Sequence, residues 1–107
     1  MDFYKIKDAL KLIQFDDIRV DNTSDFEAVV SVQDAAKLNR QLQDFFGQPV
    51  FPSQNKLSSD IKKIIDPHGG IMPGQTLYFS DDAGNIIFAM LWPWQNGKSV
   101  TVKLYRK

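Results

Sequence analysis

The sequence predicts one α+β domain, in which two to three helices pack on a five-stranded antiparallel sheet. Three observations carry this prediction. Apolar residues recur at helical spacing near the start of the chain and again after residue 34. Two stretches, 17–30 and 77–105, alternate as strands do and are broken by turn chemistry rather than by helical crossovers. Finally, a chain of 107 residues is long enough for one real core and too short for two.

Phe3, Ile6, Leu10 and Ile13 lie on one stripe, with Lys5, Lys7, Asp8 and Lys11 on the other side, which predicts a short amphipathic helix. Ile18 and Val20 then alternate with Asp17, Arg19 and Asp21 as a strand. The run Asp21-Asn22-Thr23-Ser24-Asp25 is a turn, because Asx and Ser side chains bond their own backbone. Phe26, Ala28 and Val30 return as the second arm of a hairpin. Its expected register sets Val20 against Phe26, Ile18 against Ala28 and Arg19 against Glu27, an opposite-charge pair. Ser31-Val32-Gln33-Asp34 resembles a capping box and opens a helix that buries Ala35, Leu38, Leu42 and Phe45, with Phe46 beside them. Gly47 suits a left-handed C-terminal position and Pro49 prevents continuation.

Gln48 to Gln75 reads as the irregular half, holding Pro49, Pro52, Pro67 and Pro73 with Gly69, Gly70 and Gly74. Ser58 or Ser59 can cap a short helix that buries Ile61, Ile64 and Ile65 and ends before Pro67. Val50, Phe51, Ile71 and Met72 are apolar enough to pin the flanking loops. A three-stranded meander follows. Asp81-Asp82-Ala83-Gly84-Asn85 reads as a type I turn with Gly84 in a left-handed bulge, and Asn96-Gly97 as a two-residue hairpin turn. These turns place Leu77, Phe79, Ile87, Ala89, Leu91, Val100, Val102 and Leu104 on one face. Thr76, Tyr78, Phe88, Met90, Trp92, Thr101, Lys103 and Tyr105 fall on the other.

The middle strand of that meander is apolar on both sides, whereas a half-buried antiparallel strand has one polar row. Something has to cover Phe88, Met90 and Trp92. Helices on both sides of the sheet would make the row a second core. A contact surface is the other reading, since Tyr, Trp, Phe and Met are enriched at interface centres. On that reading the binding residues are Tyr78, Phe88, Met90, Trp92, Trp94, Lys103 and Tyr105, and the partner is another protein or a second copy of the chain.

Other function classes find little support. Thirteen basic and thirteen acidic side chains balance, so no global field attracts nucleic acid or an anionic membrane. The charges are unevenly spread: Asp16, Asp17, Asp21, Asp25, Glu27 and Asp34 face only Arg19 locally, while Lys98, Lys103, Arg106 and Lys107 close the chain. With no cysteine there are no disulfides, thiolate metal sites or thiol catalysis, and one histidine is a poor start for zinc. No cofactor or metal is expected. The start of the chain lacks a signal-peptide pattern and no apolar run approaches membrane length, so a cytoplasmic location is expected. His68, in Asp66-Pro67-His68-Gly69-Gly70, is expected as an exposed loop residue. The expected function is therefore a small non-catalytic interaction module, an adaptor, inhibitor or immunity-type binder. The alternative is a small-ligand-binding protein or enzyme centred on the Asp66–Gly74 loop and His68.

Overall fold

A computed structural model describes residues 1–52 and 57–107. Three helices, α1 (Phe3–Leu10), α2 (Ala35–Phe46) and α3 (Ser59–Ile65), accompany five strands. These are β1 (Asp17–Asp21), β2 (Asp25–Ser31), β3 (Thr76–Asp82), β4 (Asn85–Pro93) and β5 (Ser99–Arg106). All neighbours are antiparallel, in the order β1-β2-β5-β4-β3. The fold is α+β as predicted. The last strand thus lies at the centre, between the N-terminal hairpin and the rest of the meander.

The first face of the sheet carries Phe26, Ala28, Val30, Ile87, Ala89, Leu91, Val100, Val102 and Leu104. Phe3, Ile6 and Leu10 of α1 and Leu38 and Leu42 of α2 close over it. Asp2 starts α1 by accepting from the Tyr4 and Lys5 amides. At α2 the expected capping box does not form. Val32–Asp34 make a 3-10 turn instead, and the Ser31 hydroxyl meets the Asp34 carboxylate directly, at 3.4 Å. The second face carries Leu77, Phe88, Met90 and Tyr105, covered by Ile65 with Ile61, Ile64, Val50, Phe51 and Ile71 packed around them. Ser58 caps α3 through the Ile61 amide, and Pro67 falls in a 3-10 turn (Asp66–His68) that follows the helix. Of the irregular stretch Gln48–Gln75, residues 53–56 lie outside the described residues.

The two C-terminal hairpins behave differently. Between β4 and β5 the register is the expected one, with Ala89 opposite Leu104 and Leu91 opposite Val102. The loop is longer than two residues: the Trp94 amide donates to Ser99 O at 2.9 Å, the Gly97 amide to Trp94 O, and Gly97 has φ 70°. Between β3 and β4 the register is shifted by one residue from the expected one. Phe79 stands opposite Phe88, not Ile87, because the turn has two residues, Ala83 (φ 52°) and Gly84 (φ 89°), both left-handed. That is the backbone of a type I′ turn, whose twist suits a tight hairpin, and Asp81 supports it by accepting from the Gly84 amide. A one-residue slip turns a whole strand over. Tyr78 therefore joins the first face, buried, its hydroxyl donating to Asn39 of α2 at 3.0 Å, while Leu77 and Phe79 move to the second.

The N-terminal hairpin is corrected by a bulge. Ile18 faces Ala28 as expected, but the register slips at Arg19, so Val20 faces Glu27 and Asp21 faces Phe26. Asp21 thereby meets α1, where Lys7 lies at 2.9 Å and Lys11 also pairs with it. The expected Arg19–Glu27 pair is replaced. Arg19 turns to Asp17 at 3.3 Å, and Glu27 pairs with Lys103 of β5 at 3.6 Å. The acidic stretch is thus met by lysines from elsewhere in the chain.

Candidate functional site

Size alone leaves part of the second face open. A helix of seven residues is about 10 Å long, while five strands spaced about 4.8 Å apart span about 19 Å. Helix α3 and its loops sit on β3, β4 and part of β5. Two of the rows crossing this face turn polar as they leave that cover, Phe88 to Tyr105 to Asp25 and Met90 to Lys103 to Glu27, while the row from Trp92 through Thr101 ends on buried Val29. Phe88 and Met90 are buried. Tyr105 is nearly so, and the burial, reinforced by Glu27 and Asp25, pushes its hydroxyl up to about 12.

At the boundary stands Trp92. Lys103 Nζ lies 3.6 Å from its ring centre while also facing Glu27. Its far edge is clamped by Gly69 in the loop after α3, and a Cβ at Gly69 would lie 2.4 Å from Trp92 Cη2. The indole Nε1 of Trp92 is buried without an acceptor among the described residues. Two residues on, Trp94 folds back over β5, its Nε1 donating to Thr101 Oγ1 at 2.8 Å. Arg19 lies 5.7 Å from the Trp94 ring, and the indole remains 37% exposed. The hydrogen bond fixes the ring without hiding it.

Beside these indoles is a cleft of about 420 Å³. It exists because β3 begins at Thr76, opposite Leu91, whereas β4 runs on to Pro93. The overhang exposes Trp92, Pro93 and Trp94, and Gln75, Gln95, Asn96 and Thr101 complete the walls. Proline is tolerated here because Trp94, not Pro93, donates to β5, and β3 has already ended. A second cleft, also about 420 Å³, lies between the end of α1 and α2, lined by Leu12, Lys37, Arg40, Asp34 and Asp44 among others. Its charges are of both signs.

Of the residues expected to form a binding surface, Trp92, Trp94, Lys103 and Tyr105 gather on the second face. Phe88 and Met90 lie beneath α3, and Tyr78 is on the opposite face. Sequence reasoning did not reach Arg19, Glu27, Gln75, Asn96 or Gly69 as members of this site. The signal available was the interruption of an aromatic row by Thr101 and Lys103. His68 is not the exposed loop residue expected. Its ring centre lies 4.1 Å from that of Tyr105, the two planes tilted by 36°, and it meets Phe88 edge-on at 5.4 Å, extending the second core. No hydrogen bond joins it to Asp66 among the described residues. Among the same residues, no group of three His, Cys, Asp or Glu side chains could hold a metal ion, and no helix is long and apolar enough to cross a membrane. Comparison of the chain with models of known families, with characterised proteins and with solved structures found no match in any of the three.

Proposed function

We propose that this chain is a non-catalytic protein-interaction module whose recognition surface is the end of the second sheet face left open by α3. One observation carries the reading. Trp94 is held by its bond to Thr101, with Arg19 beside it, yet offers more than a third of its surface to solvent. A tryptophan fixed before binding supplies large contact area at little further entropic cost, which is the character of an interface anchor. Trp92, clamped by Gly69, and the Lys103–Glu27 pair border it with a rigid apolar and charged rim. The His68 loop supports the reading indirectly, since its imidazole is used in packing against Tyr105.

A photo-crosslinking side chain at exposed Lys98, beside the surface, tests this in the native cell, with the same group at exposed Lys62 on α3 as control. A discrete protein adduct is expected from position 98 and not from 62. Excess wild-type chain should compete it away, and Trp94→Ala should compete more weakly by about 2 kcal/mol or more. An adduct of twice the chain mass identifies the partner as a second copy. Equal adducts from both positions, or none from 98, overturn the proposal.

A further inference from the structure

The pair Asn96-Gly97, which marks the last hairpin in the sequence, carries a chemistry that the sheet does not use. Of the asparagines Asn22, Asn39, Asn55, Asn85 and Asn96, only the last is followed by glycine. An asparagine carboxamide and the next backbone nitrogen can close a five-membered imide, and a side chain on that next residue obstructs the closure. At Gly97 nothing beyond its chain neighbours stands within 4 Å of where a Cβ would lie, and both residues are exposed to water. The carboxamide is also folded back over the following peptide. Asn96 Oδ1 accepts from the Lys98 amide at 2.8 Å, and the ring closed by that bond contains every ring atom of the imide: Cγ, Cβ, Cα and C of Asn96 and N of Gly97. The other described asparagines are placed differently. Asn39 lies within α2, its side chain bonded to Ala35 O and to the Tyr78 hydroxyl. Asn85 opens β4 with Ile86 after it, and Asn22, which also closes a turn, is followed by the β-branched Thr23.

We infer that Asn96 is a site of spontaneous deamidation, by which the loop beside Trp94 acquires a carboxylate. The Gly97 nitrogen, once its proton has gone to hydroxide, adds to Asn96 Cγ. The charge that builds on Oδ1 is met by the Lys98 N–H already bonded to it. The Cγ–Nδ2 bond then breaks, and ammonia leaves with a proton taken from water, which restores the hydroxide. Water opens the imide on either side of its nitrogen. Cutting the Cγ–N bond gives aspartate, and cutting the backbone C–N bond gives isoaspartate, whose chain runs through Cβ. One hydrogen bond restrains the first step among the described residues: the Gly97 N–H donates to Trp94 O at 3.1 Å. It joins two residues of one exposed loop, so it opens without disturbing the sheet and slows the reaction without preventing it. The product changes the surface. The cleft at Trp94 is lined by no charged side chain and Asn96 is one of its walls, so deamidation gives that lining a charge. The reaction needs no partner and proceeds whether or not the surface beside it is one of recognition.

The test keeps the whole folded chain in warm neutral buffer beside a sample denatured in guanidinium, and maps the peptides of both by mass spectrometry. The folded chain should exchange –NH₂ for –OH at Asn96 about tenfold faster, or more, than at any other asparagine. Part of the product should be isoaspartate, scored by methyl transfer from an isoaspartyl methyltransferase. Gly97→Ala places a methyl beside the attacking nitrogen without meeting a neighbour, and should slow the conversion by about tenfold or more. The same slowing in the denatured samples separates this effect from any change in the fold. A folded chain that keeps Asn96 intact while the denatured sample converts would overturn the inference. So would earlier conversion at another asparagine, or an unchanged rate in Gly97→Ala.

Discussion

The two faces of the sheet are comparably apolar at β4, yet one is closed across the sheet and the other only in part. On the first, α1 and α2 together bring twenty helical residues over Ile87, Ala89, Leu91, Val102 and Leu104. On the second, α3 brings seven, and its loops seal Phe88 and Met90 but stop at Trp92. What separates core from surface is therefore the reach of the covering elements and not the apolarity of the strand beneath. The residues follow that reach. Toward β2 the second face changes to Lys103, Glu27 and Asp25, with Val29 its one buried apolar residue there, while the first stays aliphatic as far as Ala28 and Val30. Consistent with this, the one fixed and exposed indole stands where the cover ends.

Met90→Lys attacks the comparison most strongly. Met90 is fully buried beneath α3 with Lys103 opposite, so an added ammonium there has no water and no carboxylate. A loss of about 4 kcal/mol or more is expected, leaving the chain largely unfolded in thermal melts. A folded variant would mean that the second face is open along its whole length.

Two glycines sharpen the boundary. Gly69 (φ 104°) and Gly97 (φ 70°) both hold left-handed backbone, but only Gly69 faces a wall, the Trp92 ring, while a Cβ at Gly97 meets open space. Gly97→Ala should cost about 1 kcal/mol from backbone strain alone. Gly69→Ala should cost about 2–3 kcal/mol and alter Trp92 fluorescence, because the indole must move. Equal costs in urea melts would remove the clamp on Trp92. Trp94→Ala, by contrast, should change stability by less than about 1 kcal/mol, since the indole is over a third exposed and gives up one hydrogen bond. Its effect belongs to binding.

The faces should also loosen at opposite ends of the pH scale. On the first, hydrogen bonds from Lys11 and then Lys7 hold the Asp21 carboxyl below its ordinary 3.8. The unfolded chain takes up that proton first. This contribution is present above 3.8 and is lost as pH falls through the lower folded value, and Asp21→Asn should flatten the acid limb of a stability profile. On the second, Tyr105 is raised from 10.0 to about 12, chiefly by burial. Its contribution is present below 10.0 and is lost as pH climbs toward about 12, and Tyr105→Phe should flatten the alkaline limb.

Local patterns made most elements legible. Periodicity marked the buried stripes of α1 and α2, Ser58 marked the start of α3, and Asn22 marked a turn that its side chain closes by accepting from the Ser24 and Asp25 amides. The misreadings arose where one residue decides a register. Ala83 in left-handed backbone made a hairpin turn one residue shorter than Gly84 alone implies, and this placed Tyr78 on the face opposite to the expected one. The bulge at Arg19 likewise redirected Asp21 toward Lys7. For the site, Trp92, Trp94 and Lys103 were visible from alternation along β4 and β5. Glu27 and Arg19 were not placed beside them, because that needs the strand order β2-β5-β4, which no local pattern encodes.

Side-chain solvent accessibility measured by NMR, with a soluble gadolinium chelate as relaxation agent, compares the two regions directly in the isolated chain. The Trp94 ring protons should relax fast, while the Phe88 ring and the Met90 methyl stay as protected as Leu42 and Leu104 on the first face. Relaxation of Phe88 and Met90 at the rate of Trp94 would contradict a second core that ends at Trp92.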